Sequence, residues 1–152
     1  MWPETKKKVY AELRLLNRLL TECEPLRLRV CEDEPDYVEL LAVAALLHSF
    51  YTGIENVFKR IALEIDGSVP SGSHSHAALL SLMTQANSKR PTVLSGHFAE
   101  RLDGYMGFRH MFRHAYTYDL KWSKMCNLVL QMKDVLNQFA AELNVFFERA
   151  RS

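Results

Sequence analysis

Apolar residues recur along this chain at three- to four-residue steps, the spacing of one face of an α-helix. Val9, Leu13, Leu16 and Leu20 make a first stripe, with Pro3 and Glu4 as good first-turn residues and Pro25 as its end or kink. The acidic connector "CEDEPD" can cap the next helix and favour its first turn. That second helix is long. Leu40, Leu47, Phe50, Ile54, Phe58, Ile61 and Ile65 mark its face, and Asp66-Gly67 its stop. The loop "DGSVPSGSHS" is rich in turn formers and leads to a short helix from about Ala77 to Ala86. "NSKRP" breaks the chain again, because the residue before Pro91 avoids helical geometry. A fourth helix is expected from about Thr92, with Leu94, Phe98, Leu102, Tyr105 and Phe112 on one face. In the last helix, Met125, Val129, Met132, Leu136, Phe139, Leu143 and Phe146 step 4,3,4,3,4,3, a heptad seam made for antiparallel neighbours or a second chain. No segment reads as a strand. The expected fold is all-α, a single-domain bundle of four or five helices over residues 1–152.

Composition narrows the function. The 152 residues suit one domain with a sizeable core, and a net charge of +1 argues against a protein that coats nucleic acid. The run "LLAVAALLHSFYTGI" contains His48 and is short for a bilayer span, so it reads as a buried helix and no membrane partner is expected. Cys23, Cys31 and Cys126 are odd in number and widely spaced, without a CxxC; they read as buried thiols of a cytoplasmic protein.

The chemistry concentrates in "GFRHMFRHAYTYDL", residues 107–120. Arg109, Arg113 and Tyr116 share a helical face at i, i+4, i+7, and His110 and His114 form an i, i+4 pair. Arg109 and His114 lie five residues apart, roughly 140° around an ideal helix. They converge only at a helix end, through a distortion, or across two copies of the chain. Arginine grips phosphate, histidine moves protons near neutral pH, and tyrosine offers a hydroxyl and a stacking face. Together these groups suit metal-free cleavage of an RNA phosphodiester, with one group deprotonating the 2′-hydroxyl, another protonating the leaving oxygen and arginine stabilising the transition state. A polar helix end is the plainer alternative. Arg101, Lys121 and Lys124 flank the stretch and could widen a basic patch. The pair His110–His114 could bind a metal, as could His74 and His76 in "SGSHSH". Yet HExxH is absent, and no Glu has a His three residues later as di-iron bundles require. No metal and no cofactor are expected.

Arg109-His110-x-x-x-His114 resembles the signature of HEPN domains, and His114-Ala115-Tyr116 extends it to the Arg-x4-His-x-Tyr form of HepT toxins. "LLHSFYTGIENVFKRIA", then "HAALLSLM" after a Gly/Ser loop, then "RP" and "LDGYMGFRHMFRHAYTYDL" follow the order of HepT-like proteins over roughly residues 35–145. This resemblance implies a HEPN-type bundle that homodimerises with two motifs facing one cleft. It implies a metal-independent endoribonuclease of a type VII toxin–antitoxin system, acting on RNA such as tRNA or mRNA. Its genetic partner would be a nucleotidyltransferase antitoxin that transfers AMP to the motif tyrosine, here Tyr116, with Tyr118 as a neighbouring acceptor. His114 would be the acid/base, Arg109 the phosphate ligand, His110 a helper, and Arg113 and Tyr116 contacts to RNA. A non-catalytic module that binds the nucleotidyltransferase or RNA is the alternative, and a metal-dependent bundle enzyme a second one.

Overall fold

A computed structural model describes residues 1–114 and 119–150. Helix α1 spans Pro3–Glu22, α2 Glu24–Glu32, α3 Tyr37–Ile61, α4 Ser75–Met83, α5 Gly96–His114 and α6 Trp122–Arg149; a π-helical turn, Ala62–Asp66, extends α3. The bundle is all-α, as expected, with one helix more than foreseen. The reason is Pro25. It occupies the first turn of α2, where its missing N–H removes no helical hydrogen bond, so the chain kinks at Cys23 and continues helical through Cys31 and Glu32. The acidic connector shrinks accordingly. Asp36 caps α3: its Oδ1 accepts from the Glu39 N–H at 2.8 Å, and Glu39 Oε1 accepts from the Asp36 N–H at 3.1 Å.

Helix α3 is the central element, packed by α1, α4, α5 and α6. Tyr37–Asp66 is long and apolar enough to cross a bilayer. Here Phe50, Tyr51, Ile54, Val57 and Phe58 are fully buried in the bundle's own core. The heptad seam of α6 is likewise consumed within the chain: all seven of its residues are buried, and Phe139 meets Phe58 edge-on at 5.8 Å and stacks on Phe98 at 6.0 Å.

Two boundaries differ from the sequence expectation for one cause. The Arg90 side chain is buried and donates to Asp66 (Nε–Oδ1 2.8 Å, Nη2–Oδ2 2.9 Å) and to the carbonyls of Gln85 (2.8 Å), Pro91 (3.0 Å) and Leu82 (3.3 Å). It satisfies carbonyls left free where α4 ends, so α4 stops at Met83. The chain then crosses back, with the Val93 and Leu94 N–H groups both donating to Met83 O (2.9 and 3.0 Å), and α5 starts at Gly96 instead of Thr92. Ser95 Oγ accepts from the Phe98 N–H at 3.1 Å, an N-cap bond. The thiols are also placed differently from expectation. Cys31 is exposed, Cys23 and Cys126 are half-buried, and all three are free. Cys31 lies on α2, whose one buried residue is Val30.

Candidate functional site

Helix α5 is seated by Phe98, Leu102, Tyr105 and Phe108, which face the core, and by the Tyr105 hydroxyl, which donates to Leu128 O at 2.6 Å. This fixes the roll of the helix one position before the motif. Arg109 therefore lies half-buried along α3, where its Nε donates to Thr52 Oγ1 at 3.0 Å and that hydroxyl donates to His48 O at 2.9 Å. Arg113 is exposed one turn further on. Among the described residues no carboxylate pairs with either guanidinium. Two cations without internal counter-ions on one helical face favour an external anion.

Arg109, His110 and Arg113 share a pocket of 270 Å³ between α5 and the start of α4, whose far wall includes His74 and His76. His114 is exposed and does not line it. Its ring lies 4.6 Å from that of His110, tilted by 54°. The structure thus brings together three of the motif residues and leaves His114 around the helix from Arg109, as the five-residue spacing requires. Tyr116, with Tyr118, lies outside the described residues. Arg101 does not widen a basic patch: it is engaged by Asp134 at 2.9 Å and Gln138 at 2.6 Å. Among the described residues no group of three or more His, Cys, Asp or Glu side chains is arranged to hold a metal ion.

Three further residues belong to this neighbourhood and were not singled out as site residues by sequence reasoning. His48 packs its ring against Phe112 at 5.5 Å, and its buried Nδ1 has no partner among the described residues. Burial, then the charges of Arg109 and Arg113, hold its pKa below the ordinary histidine value. The buried Glu55 accepts from His76 Nδ1, with 2.9 and 2.8 Å to its two oxygens, and lies 3.8 Å from Lys59 Nζ. The Tyr51 hydroxyl, one turn before Glu55, is buried without a partner among the described residues; burial, reinforced by Glu55 and Asp103, keeps the phenol protonated. The one sequence signal was a carboxylate, Glu55, inside an otherwise apolar helix face.

A family model described as HepT-like protein matches residues 42–150. The chain belongs to the HepT-like family. The match takes in most of α3 and everything through α6, so the HepT-like segment contains the pocket and every motif residue; α1 and α2 precede it. No curated protein and no solved structure matches the chain. Membership points to a HEPN-type component of a toxin–antitoxin system.

Proposed function

We propose that this HepT-like protein is the toxin of a type VII system, a metal-independent endoribonuclease neutralised by a nucleotidyltransferase antitoxin. The observation that supports it most is the pair of guanidiniums without a carboxylate partner among the described residues, Arg109 and Arg113, sharing a pocket with His110 on the motif helix. Arg109, braced on Thr52, holds the scissile phosphate and the charge that develops on it. His114 transfers a proton, and His110, in ring contact with it, assists. Because Arg109 and His114 diverge on one helix, two motifs from a homodimer would complete the cleft. AMP on Tyr116 would bring a bulky anion to the arginines and compete with the RNA phosphate.

The test is cleavage of total RNA and of tRNA by purified protein in excess EDTA, beside Arg109→Ala and His114→Ala, with folding checked by helical circular dichroism. Cleavage by the unmodified protein is expected, falling about 100-fold or more in each variant. A folded, unmodified protein that binds RNA and leaves it intact would overturn the nuclease reading in favour of a non-catalytic module.

A further inference from the structure

We propose that His76, oriented by Glu55, is a second proton-transfer residue of the Arg109 pocket. The inference rests on the ribonuclease reading and assigns a role that the motif helix does not supply. Transesterification of RNA needs two proton movements, one at the 2′-hydroxyl and one at the leaving 5′-oxygen. Within one chain, His114 stands outside the pocket that holds Arg109, while His76 lines it from the opposite wall.

The geometry around His76 is that of a carboxylate–histidine dyad. A carboxylate only accepts hydrogen bonds, so the 2.8 and 2.9 Å contacts require a proton on Nδ1, and in the neutral ring Nε2 is then the lone-pair nitrogen. The Glu55 side chain is 2% exposed and the His76 side chain 37% exposed, so the orienting group is enclosed and the ring stays accessible. Among the described residues the charged and titratable groups around the pair are Tyr51 and Lys59 on α3, His74 at the N-cap of α4, and Arg109, His110 and Arg113 on α5. A plain tether between α3 and α4 would need only the Nδ1 donor. A partly exposed imidazole lining the same pocket as Arg109 is what a general base needs.

The step balances as follows. The 2′-oxygen bonds to phosphorus while its proton passes to His76 Nε2, and Glu55 stabilises the imidazolium. The bond from phosphorus to the 5′-oxygen breaks, and that oxygen takes a proton from His110 or His114. The products are a 2′,3′-cyclic phosphate and a 5′-hydroxyl, with Arg109 holding the charge on the phosphoryl oxygens throughout.

The experiment compares the full chain with His76→Asn, whose amide keeps a donor for Glu55 and lacks Nε2. Cleavage of an RNA oligonucleotide is followed from about pH 5 to about pH 9. The expected result is a fall in kcat of about 100-fold with KM near wild type, and loss of the acid-side limb of the pH–rate profile. A folded His76→Asn with wild-type kcat and an unchanged profile overturns the proposal and leaves the ribonuclease reading intact; a wild-type protein that cleaves nothing overturns both. Should His76→Asn fail to fold, the ¹⁵N-imidazole spectrum of the wild-type protein decides. Neutral His76 protonated on Nδ1 supports the dyad, and protonation on Nε2 overturns it.

Discussion

His48 is the residue where burial and charge act together. Its ring is half-buried under Phe112, and both Arg109 and Arg113 oppose its protonation. In the unfolded chain those constraints vanish and the ordinary histidine pKa returns. The group therefore stabilises the fold fully above that ordinary value. As pH falls through it toward the lower native pKa, the unfolded state binds the proton first and stability is lost. Burial heads the causes, so removing one arginine corrects only part of the shift. In Arg109→Ala the His48 titration followed by NMR should move up toward the ordinary value, and the stability lost as pH falls through the ordinary histidine range should shrink. A His48 titration that stays where it is in wild type would show that the Arg109 charge does not reach the ring.

At the scale of elements, the α1–α3 contact depends on one missing side chain. A Cβ on Gly53 would lie 2.5 Å from Leu16 Cδ2 and 3.0 Å from Cγ, and Leu16 is itself buried. Alanine would favour the helix by about 1 kcal/mol, while forcing the buried Leu16 side chain out of its place costs about 1–3 kcal/mol. Gly53→Ala should therefore lower the urea midpoint, with a net loss of about 1 kcal/mol. Adding Leu16→Ala should make the two losses sub-additive, because the smaller residue removes the clash. A Gly53→Ala protein more stable than wild type would mean that α1 and α3 are farther apart than described. The faces of α1, α3 and α6 were legible from their apolar steps, and a cap for α3 from the acidic connector. The start of α5 was not, because what stops α4 and delays α5 is Arg90, reaching back across the chain.

For the whole molecule, the Arg90–Asp66 pair ties the end of α3 to the segment that leads into α5. The Arg90 side chain is wholly enclosed, so removing its carboxylate leaves a buried cation with only carbonyl partners. Breaking a buried pair in this way costs about 3–5 kcal/mol. Asp66→Ala should accordingly lose about that much stability in denaturant unfolding. A loss below about 1 kcal/mol would mean that solvent or another group reaches Arg90 and that the pair is not what pins this corner.

The sequence by itself determined the fold class, the long helices and the family: helical period, caps and breaks produced an all-α bundle, and the Arg-x4-His-x-Tyr stretch with its flanking segments identified a HepT-like chain. It also determined that Arg109 and His114 diverge, since helical geometry alone sets that angle. Only the tertiary structure decided which groups meet. Arg101 and Arg109 are both arginines on α5, yet one is engaged by Asp134 and Gln138 while the other, braced on Thr52, has no carboxylate partner among the described residues. Glu55 and His76 are 21 residues apart and carry no shared periodicity. Their contact exists because the fold packs α4 against α3, and no local spacing encodes a hydrogen bond between two elements joined by a loop.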